Sequence, residues 1–145
     1  MEIWQPTTVL KSEYTHRMHF KEILRHNEYL KITLEDNHGN EVDVIYDDPD
    51  KVCPLEYFVW SFRHNTECGS IHLPRPEIDK TNKKIDEKSA YFCKMRNSNY
   101  IKQFDSNPIA NRELFPEVEH HLYITGDEIF EVISNYEPRF VAREK

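Results

Sequence analysis

Glycine is nearly missing from this chain, with three among 145 residues. That scarcity excludes a group of sites together, because only a residue without Cβ lets backbone press against a phosphate or turn sharply. Neither GxxxxGK[ST] nor GxGxxG occurs, so the phosphate-cradling loops are absent. No GxSxG elbow, HExxH helix or EF-hand calcium loop is present either. The P-loop, dinucleotide-binding, α/β-hydrolase and zincin readings therefore fail together.

Cysteine is also sparse. Cys53, Cys68 and Cys93 are an odd set with no CxxC pair, which argues against a disulfide framework and for a reducing compartment. The start of the sequence has no basic region followed by an apolar run, and no 18-residue apolar segment occurs anywhere. Neither a signal peptide nor a membrane-spanning helix is expected, and a cytoplasmic location follows. Positive charge is in deficit: 26 acidic residues against 19 basic ones give a net charge of −7. Gripping nucleic acid or anionic lipid needs clustered Lys and Arg, so neither partner is expected. A basic protein partner fits this field better, although the same charge also serves solubility.

What is present is material for one domain spanning residues 1–145. Hydrophobic residues make up 38% of the chain, enough for a single core and too many for general disorder. From Tyr29 to Asp36, Leu30, Ile32 and Leu34 alternate with polar residues. After Asn37-His38-Gly39-Asn40 the alternation resumes from Glu41 to Asp47, which predicts a β-hairpin. Arg17–Arg25 fits either a short helix or a strand. Leu55–Arg63 reads as a strand apolar on both faces, hence a central one. His64–Lys88 reads as the longest loop, and Ala90–Met95 as a short strand. Ser98 is placed to cap a helix over Asn99–Asp105. A second hairpin runs from His121 to Ser134 around Gly126-Asp127, and Glu137-Pro138 closes it. The expected class is α+β: a mainly antiparallel, curled or partly barrelled sheet with one or two short helices.

Eight histidines remain to be placed. His64, Cys68 and His72 are spaced at four, and on a helix they would offer three ligands to a metal. Gly69 and Pro74 make the segment a loop, so no metal or other cofactor is expected there. Strand alternation sends His120 and His121 to opposite faces, one packed on the sheet and the other solvated. Glu131 lies between Phe130 and Val132. On an outward face it is an ordinary strand residue, whereas on a buried one it must be paired. Cys53 and Cys93 read as small core residues rather than nucleophiles, and no residue stands out as catalytic.

Binding rests on other features. Asp47, Asp48 and Asp50 gather negative charge at a turn. Tyr57 and Trp60 belong to an aromatic-rich strand and could contact a basic partner. The competing reading puts Phe58, Trp60 and Phe62 in the core.

The strings Asn97–Lys102, His121–Thr125 and Ile129–Pro138, with the Tyr29–Asp47 hairpin, resemble small single-domain proteins of Bacillus-type bacteria and their phages. Several of those resemble immunity proteins, which neutralise toxins by binding them. The resemblance implies a bacterial or phage inhibitor and carries over no functional residue. The expected function is therefore a non-catalytic inhibitory binding protein, directed at a toxin or a host defence factor. The alternatives are a metal-assisted hydrolase using His64, Cys68 and His72, and a protein that sequesters a small molecule or nucleotide on Tyr57 or Trp60.

Overall fold

The structure is a computed structural model that describes residues 2–3, 10, 18–26, 28–48, 59–66, 92–125 and 128–145. The first hairpin forms where the alternation predicts it, with β3 at Tyr29–Glu35 and β4 at Glu41–Asp47. Register pairs Leu30 with Tyr46, Ile32 with Val44 and Leu34 with Val42, so six large side chains enter the core from one face. Burying each contributes roughly 1.5–3 kcal/mol, which is what pins this register against a one-residue slip. At the turn, Asp36 Oδ1 accepts from the amides of His38 and Asn40 at 2.8 and 3.0 Å, and Gly39 takes φ +84°. A Cβ there would meet only the flexible end of Lys145, so backbone strain is the main cost. Gly39→Ala should destabilise by about 1 kcal/mol, read as a lower urea midpoint at unchanged slope.

β2, His19–Arg25, lies beside β3. The 17–25 segment is thus a strand, and the register shift between Phe20 and Glu22 explains its ambiguity. Phe20 pairs with Leu34 and Ile23 with Ile32, so a bulge places two residues three apart on the same face, which imitates helical spacing. On the other side of β4 lies β9, Arg139–Arg143, which the sequence reading missed. Its arginines grip the outer face of β4: Arg139 donates to both Asp47 oxygens at 2.9–3.1 Å, and Arg143 bridges Glu41 and Asp43.

The second sheet has the order β1–β6–β7–β8–β5, every pairing antiparallel. Its strands are β1 Glu2–Ile3, β5 Val59–Thr66, β6 Phe92–Met95, β7 Glu119–Ile124 and β8 Glu128–Ser134. Phe92, Tyr123, Phe130 and Val132 share one core with the hairpin residues, so the two sheets stack face to face. Two open sheets replace the curled or partly barrelled sheet expected. The sheets are antiparallel as expected, and among the described residues the only helix is the four-residue α1, Asn99–Lys102, so these residues are nearly all β and fit the α+β class only loosely. β5 is the outermost described strand of its sheet, not a central one. Its Phe62 is 41% exposed and stacks on Phe130 at 5.7 Å instead of lying within the core.

The outer face of the second sheet is covered as well. α1, capped by Ser98 as expected, and the turns that follow it pack Tyr100, Ile101 and Val118 against Ile133, with Trp60 and Phe104 at the margin.

Candidate functional site

β7 carries the two adjacent histidines, and alternation does point them to opposite faces. Neither is solvated, however: His120 is 2% exposed and His121 fully buried, because this sheet is covered on both sides. Each therefore needs internal partners, and each has a glutamate.

On the inner face His121 sits in a hydroxyl chain. Tyr46 Oη lies 2.7 Å from His121 Nδ1 and also meets Tyr123 Oη, while His121 Nε2 is 3.4 Å from Glu119 Oε1. Glu119 in turn meets Lys94 and Arg96 at 3.4 Å, and Lys94 reaches Glu137. The hydrogen bond from His121, with Lys94 nearby, outweighs burial and holds the Glu119 carboxyl down at about 2. An ionised Glu119 only accepts, so Nε2 carries the ring proton and Nδ1 accepts from Tyr46. Burial holds His121 below its ordinary value and raises both tyrosines.

On the outer face Glu131 is 5% exposed, so the buried alternative applies and it is paired. His120 Nε2 lies 2.9 Å from its Oε1, and Arg63 forks onto both oxygens, Nη2 at 3.1 Å. Burial pushes this carboxyl up, and the bonds from His120 and Arg63 more than reverse that. The Arg63 guanidinium lies 4.0 Å over the Tyr100 ring, whose hydroxyl meets Ser61 Oγ at 2.6 Å. Ser98 Oγ is 2.9 Å from His120 Nδ1 and accepts from the Ile101 amide at 3.2 Å.

This network supports the base of an ordered arm over residues 103–118. Asn107 Oδ1 accepts from the amides of Ile109 and Ala110 at 2.9 Å, and Asn111 Oδ1 accepts from Leu114 at 2.8 Å. Arg112 ties the arm to Asp105 and to Asn97. Phe115 turns inward against Trp60 at 6.0 Å, whereas Ile109 and Leu114 point out, 62% and 59% exposed. Glu113 and Glu117 are exposed on the same segment.

The residues singled out from sequence are scattered. Asp47 ends β4 and is bound to Arg139, Asp48 follows it half-buried, and Trp60 is partly buried beneath the arm. Asp50 and Tyr57 lie outside the described residues. His64 points at Glu128 at 2.9 Å, with Cys68 and His72 outside the described residues. Among the described residues no group of three His, Cys, Asp or Glu is placed to hold a metal. Cys93 is buried in the core, and burial pushes its thiol up to about 11, which makes it a poor nucleophile. No helix among the described residues is long and apolar enough to cross a membrane. Sequence reasoning missed the arm and the joining of Ser98, His120, Glu131 and Arg63. No family model matches the chain, and neither a curated protein nor a solved structure does.

Proposed function

We propose that this chain is an inhibitory binding protein that acts by occupying a basic protein partner, as an immunity protein does with a toxin or a phage protein with a host defence factor. The arm is the observation that carries this reading. Exposed Ile and Leu side chains are common singly, but here two of them project from a segment fixed by side-chain hydrogen bonds. Little entropy is lost when such anchors enter a pocket, and the outward Glu113 and Glu117 favour a basic rim around it. The acidic surplus of the whole chain would steer the encounter.

The test pairs the chain with proteins encoded beside its gene, by growth rescue on co-expression and by direct binding. One of them should bind at micromolar concentration or tighter. Ile109→Asp with Leu114→Asp should then weaken that binding about 30-fold, the value of a hot-spot anchor of about 2 kcal/mol, with Tm unmoved. If no neighbour-encoded protein binds at micromolar concentration, the reading is wrong.

A further inference from the structure

We propose that Ser98, His120 and Glu131 form a nucleophile site that takes the acyl group from small activated esters. This goes beyond the binding reading, which has no use for a nucleophile, and the two can fail separately.

The geometry is a relay of two bonds. Ser98 Oγ lies 2.9 Å from His120 Nδ1, and His120 Nε2 lies 2.9 Å from Glu131 Oε1. The Glu131 carboxylate, gripped by the Arg63 fork, only accepts, so the proton of the neutral ring sits on Nε2. Nδ1 then offers its lone pair to Ser98. The Ile101 amide already donates to Oγ, which leaves the hydroxyl hydrogen directed at His120. Nucleophile, base and orienting carboxylate thus stand in the order that serine acylation needs.

Exposure divides along the same line. His120 and Glu131 are buried, while Ser98 is half-buried between the exposed Asn97 and Asn99. Ser98 thus stands at the surface end of the relay and the histidine and carboxylate at its buried end. Arg63 is itself held over the Tyr100 ring, so the carboxylate has little freedom to turn away. Glu131 and Arg63 are positioning residues, because neither would touch the substrate.

In the first step Oγ attacks the ester carbonyl carbon, and its proton passes to Nδ1. The new Oγ–C bond forms, the ester C–O bond breaks, and the leaving alkoxide or phenoxide takes the proton from Nδ1. Water then attacks the acyl-serine with Nδ1 as base, releasing the carboxylic acid and restoring the hydroxyl. Glu131 stabilises the transient imidazolium throughout. With only the exposed Asn97 and Asn99 flanking a half-buried Ser98, the substrates expected are short acyl groups with good leaving groups.

The intact chain is treated with an alkyl fluorophosphonate and mapped by peptide mass spectrometry, and hydrolysis of p-nitrophenyl acetate is measured in parallel. The phosphonyl adduct should lie on Ser98. Ser98→Asn retains a helix-capping side chain but has no hydroxyl, so it should keep Tm while losing the adduct and about 100-fold of the hydrolysis rate, the usual scale of positioned base catalysis. Absence of an adduct on Ser98 in the folded wild type, or an unchanged hydrolysis rate in Ser98→Asn, overturns the proposal.

Discussion

Glu131→Ala should lower the free energy of unfolding by about 3 kcal/mol, with Tm falling by roughly 10 °C. The carboxylate is buried at the centre of the outer network, and its removal leaves two groups unsatisfied together. His120 loses the acceptor for Nε2 inside a covered face, and Arg63 loses both fork contacts. The histidine side carries most of the cost, because Arg63 is nearly half exposed and can turn to water. A double variant tests this account: Glu131→Leu with His120→Leu removes acceptor and donor together, and it should recover at least half of the loss. Urea unfolding at constant slope measures both. A loss below 1 kcal/mol in Glu131→Ala would show that the network is wetter than its burial implies.

Much of this arrangement could be read in advance, and the parts that could not have identifiable causes. The β3–β4 hairpin was legible because one face is apolar and fully buried while the other carries mainly polar, half-buried side chains, which writes period two into Leu30–Leu34 and Val42–Tyr46. The two-residue turn expected at Gly126-Asp127 lies outside the described residues, but it implies the register observed between β7 and β8, which sets Leu122 opposite Glu131, so His120 and Glu131 could have been placed diagonally on one face. What stayed hidden was the cover. Nothing local in Asn97–Val118 says that it folds over that face, and this cover makes His120 and Glu131 buried instead of solvated. β2 was obscured by its bulge. β9 was missed because its three apolar residues, Phe140, Val141 and Ala142, are consecutive and split between the two faces, so the strand shows no period-two alternation. The aromatic strand misled in the opposite sense: its two apolar faces reflect Val59 on the inter-sheet core and Trp60 under the arm, not a central position.

Acid should weaken this protein in two stages, the first well above the range where carboxylates titrate. Folded His121 is held neutral, below its ordinary 6.5, by burial. The unfolded chain therefore binds a proton near pH 6.5 that the folded chain refuses, and stability falls as pH drops below that value, by up to ~1.4 kcal/mol per pH unit. Glu119 adds the second stage. Its carboxyl titrates near 2 when folded against an ordinary 4.5, so the stability it contributes is full above 4.5 and is lost as pH falls from 4.5 towards 2. Both signs agree, so stability should fall continuously from pH 7 towards pH 2, first through His121 and then through Glu119. The hydroxyl chain gives the reason that folded His121 resists protonation. A proton on Nδ1 would turn the Tyr46 hydroxyl from donor towards this ring to donor towards Tyr123, and Tyr123 would have to reverse in turn. Lys94 and Arg96 beside Glu119 oppose a positive ring further, whereas Glu119 and Glu137 favour one. Urea midpoints from pH 8 to pH 3 measure both stages. His121→Gln should flatten the curve between pH 7 and 5, and Glu119→Gln should leave that part sloping while reducing the fall below 4.5. A wild-type curve already flat from pH 7 to 5 would mean that folded His121 takes up its proton as readily as the unfolded chain does, and the fixed direction of the hydroxyl chain would have to be abandoned.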